Sequence, residues 1–71
     1  MATIRRLRED QGLTLFALAM RSGVPLSTIA QYELGTREPS IGRIRKIADA
    51  LGVTINDIEW SRSVRREKVN V

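Results

Sequence analysis

The sequence predicts a small all-α domain, a compact bundle of about five short helices. Apolar residues recur at spacings of three and four in several segments, which is the periodicity of a helix with one buried face. Four of these segments stop at a glycine, and three of the four start directly after a Thr or Ser that can cap a helix. With 71 residues the chain is long enough for one small domain with a thin core.

Residues 14–35 form the segment around which this bundle is organised. Thr14 can cap a helix over Leu15–Ser22, and Gly23 can end it in a left-handed conformation. A second helix is predicted over Leu26–Leu34, before Gly35. Two short helices joined by a tight glycine-containing turn predict a helix-turn-helix.

Three further helices are predicted around this motif. The first runs from residue 4 to about residue 11 behind Thr3, and the fourth covers residues 41–51 behind Ser40. Asn56 is expected to cap a short fifth helix that contains Ile58 and Trp60. The sequence therefore divides into a helical domain over residues 1–61 and a basic tail over residues 62–71.

The apolar residues predict which helix faces are buried. Those expected to face the core are Leu18, Ala19, Val24, Ile29 and Tyr32, with a stripe on the fourth helix made of Ile41, Ile44, Ile47, Ala48 and Leu51. Leu15, Phe16 and Met20 are surplus to that core. Either they pack against the first helix or the tail, or they form an exposed patch for a partner.

The amino-acid composition limits the kinds of function that the chain can have. The chain has no cysteine and no histidine, so disulfides are excluded and a metal site is not expected. No nucleophile with a base, no paired acids and no phosphate-binding glycine loop is evident, so we expect neither an enzyme nor a cofactor or small-molecule ligand. The longest apolar run is far shorter than a membrane span, and no signal peptide is visible, so a cytoplasmic protein is expected.

The net charge of +4 is concentrated at one end. Residues 62–71 contribute +3 through Arg62, Arg65, Arg66 and Lys68, against Glu67, whereas residues 1–61 contribute only +1. Phosphate contacts provide most non-specific affinity for nucleic acid. The tail either adds such contacts or serves as solubilising charge.

Several spaced motifs resemble one family of DNA-binding domains. They are GLT (12–14), LA (18–19), SGV (22–24), STI (27–29), YE and GTREPS on either side of a variable Leu34 (32–40), and IADALGV (47–53). In this order they are similar to the lambda Cro and C1 repressor class, often called XRE-like, over about residues 4–60. The resemblance implies a transcriptional regulator, most often a repressor, that binds double-stranded DNA as a homodimer.

The resemblance also implies which residues contact DNA. The base-reading positions are Leu26, Ser27, Ala30 and Gln31 on the third helix and Leu15 at the start of the second, and the phosphate-contacting positions are Thr14, Thr36, Arg37 and Arg43. Gln31 is either the main reader of a base or an ordinary exposed residue. At Leu15 many relatives have a glutamine, and an apolar side chain there can only contact a thymine methyl. This departure keeps open a second interpretation, a protein-interaction module anchored by Leu15, Phe16 and Leu26.

Two further contacts are expected. By resemblance, Arg8 and Glu33 form a buried ion pair between the first and third helices; the alternative is two unrelated surface charges. Near the C-terminal end, three apolar residues have no predicted packing partner: Ile58, Trp60 and Val64. They are expected to form the dimer contact, unless Trp60 covers the core of its own chain.

Overall fold

The computed structural model describes residues 2–60 and confirms the all-α fold. Four α-helices follow one another: α1 (Ile4–Asp10), α2 (Leu15–Ser22), α3 (Leu26–Leu34) and α4 (Ile41–Leu51). A single 3₁₀ turn over Ile55–Asp57 takes the place of a fifth helix. The two ends of this part of the chain meet, because the N–H of Ala2 donates to the carbonyl of Asp57 (3.2 Å) and that of Glu59 donates to the carbonyl of Ala2 (2.8 Å).

The helix ends lie where the caps predict them. The hydroxyls of Thr3, Thr14 and Ser40 each accept a backbone N–H from the first turn of the helix that follows, at 3.1, 3.0 and 3.2 Å. Gly23 and Gly35 end α2 and α3 with φ of 76° and 80°, a conformation that a side chain would strain. These local signals explain why the motif forms at these boundaries.

The core lies where α2, α3 and α4 meet. Its fully buried members include Leu18, Ile29, Ile44 and Ile47. The prediction for Ile41 is wrong, since its side chain is 53% exposed. At about 100° per residue Ile41 lies roughly 70° from the middle of the arc formed by the other predicted core residues of α4, and it occupies the first position of that helix.

The predicted fifth helix is also wrong in its cap and extent. Thr54, not Asn56, precedes the 3₁₀ turn, and Asn56 lies inside it. The carboxylate of Asp57 accepts both the N–H and the hydroxyl of Thr54, each at 3.0 Å. This pairing closes a single turn, after which Ile58 is extended (φ −111°, ψ 133°).

Asp57 gives the domain an acid-dependent contribution to stability. The backbone N–H of Thr54, followed by its hydroxyl, holds the pKa of Asp57 below its ordinary value. A carboxylate whose pKa is lower in the folded chain stabilises that chain above its unfolded pKa of about 4, and the contribution is lost as the pH falls through the folded pKa. We expect Asp57→Ala to lose less stability than the parent as the pH falls below about 5.

Urea denaturation at a series of pH values measures this difference. Asp49→Ala is the matched control, because Asp49 is also exposed and its side chain makes no hydrogen bond within residues 2–60. Identical acid profiles for Asp57→Ala and the parent would contradict the assignment.

Candidate nucleic-acid interface

The turn between α2 and α3 is closed by buried contacts. The N–H of Val24 donates to the hydroxyl of the buried Ser22 at 3.2 Å, and the Val24 side chain is 2% exposed within the core. The carbonyl of Pro25 accepts the N–H groups of Thr28 and Ile29 at 3.1 and 3.0 Å. The turn therefore fixes the direction in which α3 leaves α2.

The two faces of α3 differ sharply. On its inner face Thr28 and Ile29 are buried and Tyr32 packs against the core. The outer face consists of the residues expected to read bases, Leu26, Ser27, Ala30 and Gln31, together with Leu34. The Gln31 side chain is exposed and makes no hydrogen bond within the described residues, so its amide is available to a partner.

Arg8 and Glu33 join α1 to the last turn of α3. The Nε and Nη2 atoms of Arg8 donate to the two carboxylate oxygens of Glu33 at 2.8 and 3.0 Å. The Nη1 atom donates to the carbonyl of Leu13 at 2.8 Å. The two side chains are only 12% and 8% exposed, and the hydrogen bond to Glu33 raises the pKa of Arg8 above its ordinary value. This is the pairing that the resemblance implies, in a two-point geometry that fixes the orientation of α3.

The other arginines of α1 are paired within the helix. Arg5 contacts Glu9 at 3.1 Å and Arg6 contacts Asp10 at 3.3 Å, and all four side chains are at least half exposed. Such exposed pairs contribute little to stability. The two acidic partners do offset the positive charge of α1. Attraction of phosphate therefore depends on basic side chains in other segments.

Two exposed arginines follow the helix-turn-helix. Arg37 lies in the loop after α3 and Arg43 in the first turn of α4, and neither forms an ion pair within residues 2–60. Since neither guanidinium is bound to a carboxylate in this part of the chain, both side chains can contact a phosphate group.

The two threonines expected to contact phosphate differ in their free hydrogen-bonding groups. The hydroxyl oxygen of Thr14 accepts the N–H of Ala17, so its proton remains able to donate. The N–H and the hydroxyl of Thr36 both donate to the carbonyl of Gln31, at 3.1 and 3.3 Å. A phosphate contact therefore suits Thr14 better than Thr36.

A groove of about 310 Å³ lies beside the outer face of α3. Its lining comprises Arg5, Arg8, Leu15, Ala30, Glu33 and Leu34. Leu15 also packs against the core, so only part of its side chain faces the groove. Leu34, which is 76% exposed, was not among the predicted site residues, although its spacing of four from Ala30 is a signal that places it on the same face.

The surplus apolar residues of α2 separate into two groups. Leu15 packs against the core, although it was expected to be surplus to it. Phe16 and Met20 are 64% and 69% exposed and lie four residues apart, on one face of the helix. For these two residues the structure shows an exposed apolar patch.

The predicted dimer contact at the C-terminal end is wrong for Ile58. Ile58 is 2% exposed in the core of its own chain, so it cannot also contribute the expected dimer contact without unpacking. Trp60 packs against the same core and is partly buried, which matches the alternative stated for it. Val64 and the basic tail lie outside the described residues.

Residues 2–60 contain neither a metal-binding cluster nor a membrane-spanning helix. No group of three or more acidic side chains there is placed to hold a metal ion. No helix in this part of the chain is long and apolar enough to cross a membrane.

Comparison with known proteins agrees with this geometry. A helix-turn-helix family model matches residues 4–58, most of the chain. The chain is also similar to y4dL, an uncharacterized HTH-type transcriptional regulator of Sinorhizobium fredii (strain NBRC 101917 / NGR234), with 40% identity over 52 residues, or 73% of this chain. It spans only 26% of the length of that relative. The chain belongs to the Cro/C1-type helix-turn-helix family.

Proposed function

We propose that the protein is a sequence-specific DNA-binding transcriptional regulator that reads the major groove with α3. The observation that supports this most is the division of α3 into two faces. One face is fixed by the core and by the Arg8–Glu33 pair, while the other exposes Ser27 and Gln31. A helix held in this way can enter a major groove and present side chains to base edges. The similarity to an HTH-type regulator points the same way.

The size of α3 favours binding as a homodimer. Its nine residues span about 13 Å, which corresponds to roughly four base pairs of B-DNA. One such contact is too short for a selective site, and two copies related by a two-fold axis would read half-sites about one helical turn apart. Because Ile58 is buried, the proposed dimer would use surfaces other than that side chain.

Repression is the regulatory direction that we propose. It requires only that the bound dimer occupy DNA needed by the transcription machinery, whereas activation requires a further surface that recruits it. A reporter gene placed behind the selected operator tests the direction, and higher expression in the presence of the protein would contradict repression.

The primary experiment is selection of bound duplexes from a random-sequence pool with the full chain. Enrichment of a defined, two-fold symmetric site is the expected result. Titration of that site with salt should show affinity that falls steeply as salt rises, because bound phosphates release counterions. Failure to bind any duplex even at low salt would reject the DNA-binding function.

We predict that Arg37→Ala and Arg43→Ala weaken all duplexes to a similar extent. Each removes one expected phosphate contact, so the slope of log affinity against log salt should shrink by about 0.9 for each phosphate that is no longer neutralised. Arg6→Ala is the control, since it removes the same charge from a residue that is already paired with Asp10 and does not line the groove beside α3. A salt slope equal to that of the control would show that Arg37 or Arg43 makes no phosphate contact.

A protein-interaction module is the second candidate function, and the exposure of Phe16 and Met20 favours it. Leu26, 41% exposed, is a suitable third anchor, whereas Leu15 is partly used by the core. The duplex selection separates the candidates, because this second function predicts no enriched site.

A further inference from the structure

The outer face of α3 consists of two parallel stripes with different chemistry. Leu26, Ala30 and Leu34 follow one another at intervals of four and span an arc of about 80°. Ser27 and Gln31 form the neighbouring polar stripe. Leu26 is 41% and Leu34 76% exposed, so the apolar stripe is open to solvent at both ends of the helix.

The groove extends this apolar stripe toward α2. Ala30 and Leu34 line it together with Leu15. Three charged residues also line the groove. Arg8 and Glu33 satisfy each other in a two-point pair, and the remaining Arg8 nitrogen donates to a backbone carbonyl. Arg5 is paired with Glu9 through its Nε. The side chains of Leu15, Ala30 and Leu34 therefore offer apolar contact here, and among the groove's charged residues Arg5 is the one with side-chain nitrogens that make no hydrogen bond within residues 2–60.

The major groove of DNA has one apolar group to match such a surface. Thymine presents its C5 methyl group at the groove edge, whereas cytosine presents hydrogen at that position and an amino donor beside it. The other groups that bases present there are hydrogen-bond donors and acceptors, which an apolar side chain would desolvate without replacement.

Resting on the proposed function, we propose that the stripe of Leu26, Ala30 and Leu34 recognises the C5 methyl group of pyrimidines. The ligand class is then duplex DNA with thymine, or 5-methylcytosine, at the base pairs facing this stripe. Ser27 and Gln31 read neighbouring positions by hydrogen bonding. The protein thus divides its readout between methyl contacts and polar contacts on one helix.

Substitution of single thymines by deoxyuridine in the selected operator tests this inference. The change removes the methyl group and leaves the hydrogen-bonding edge intact. We expect affinity to fall about fourfold at one or two positions in each half-site, the factor that corresponds to burial of one methylene-sized group. A cytosine at the same position should bind more tightly when it is methylated at C5, by a similar factor.

Variants of the stripe connect the effect to the protein. In Leu26→Ala or Leu34→Ala the penalty for deoxyuridine should shrink toward onefold at the position each residue faces. Met20→Ala is the matched control, because it truncates a similarly exposed apolar side chain on α2 and should leave the penalty unchanged. Gln31→Ala should also retain it, and thermal denaturation checks that each variant is folded.

The outcomes are distinguishable. A parent protein that binds its selected operator with the same affinity after every thymine-to-deoxyuridine change overturns methyl recognition while the DNA-binding function stands. A penalty that persists in both leucine variants overturns the assignment to this stripe. Absence of binding to any duplex removes the proposed function and this inference together, and a protein partner then becomes the occupant of the stripe.

Discussion

Replacing Glu33 by alanine should destabilise the domain by about 3–5 kcal/mol, the usual result of leaving one member of a buried ion pair alone. Arg8 would lose both of its hydrogen bonds to the Glu33 carboxylate while its side chain, 12% exposed, stayed largely out of water. Native proteins have total stabilities of about 5–15 kcal/mol, so this loss is a large fraction of the total and should clearly lower the denaturation midpoint. Urea denaturation monitored by circular dichroism measures the decrease in stability.

Two controls separate the buried pair from a general effect of charge removal. Glu9→Ala removes the same charge from an exposed pair with Arg5 and should change stability by only about 0–1 kcal/mol. The double variant Arg8→Met/Glu33→Leu replaces the pair with apolar groups and should recover much of the stability that Glu33→Ala removes, because no unpaired charge remains buried. A denaturation midpoint for Glu33→Ala close to that of Glu9→Ala would contradict the account.

The parts of the fold that the sequence predicted well are those set by neighbouring residues. Thr14 and Gly23 determine the two ends of α2 through one hydroxyl bond and one left-handed residue, and neither signal needs knowledge of the rest of the chain. Near the C-terminus the local signal of the Thr54–Asp57 capping box was missed. Both Asn56 and Thr54 can cap a helix, and the choice depends on Asp57, whose carboxylate bonds back to Thr54.

Contacts between residues far apart in the sequence could not be predicted from local signals alone. Arg8 and Glu33 are 25 residues apart, and the resemblance to a family implied their pairing where periodicity did not. The burial of Ile58 accompanies its pairing with Ala2, at the two ends of the described part of the chain, and this pairing leaves no periodic signal in the sequence. The helical period did predict the outer face of α3, but the groove beside it depends on how α1 and α2 approach that helix.

Replacing Gln31 by alanine should relax base preference at one position of each half-site. The Gln31 amide is exposed on the outer face of α3 and has no hydrogen-bond partner within residues 2–60. An amide side chain can bond the N6 and N7 atoms of adenine at two points, and removal of such an interaction costs about 1–3 kcal/mol of discrimination. Because each half-site contains one copy of the contact, a symmetric operator should show this cost twice.

Competition between the selected operator and its single-base variants measures the effect. For the parent protein, substitution of the adenine that faces Gln31 should weaken binding about tenfold or more, whereas Gln31→Ala should bind all four bases there with nearly equal affinity. Arg43→Ala is the contrasting variant, because removal of a phosphate contact lowers the affinity of every duplex and preserves their ranking. If Gln31→Ala ranks the variants as the parent does and binds them as tightly, Gln31 does not read a base, and specificity has to come from Ser27 and the apolar stripe.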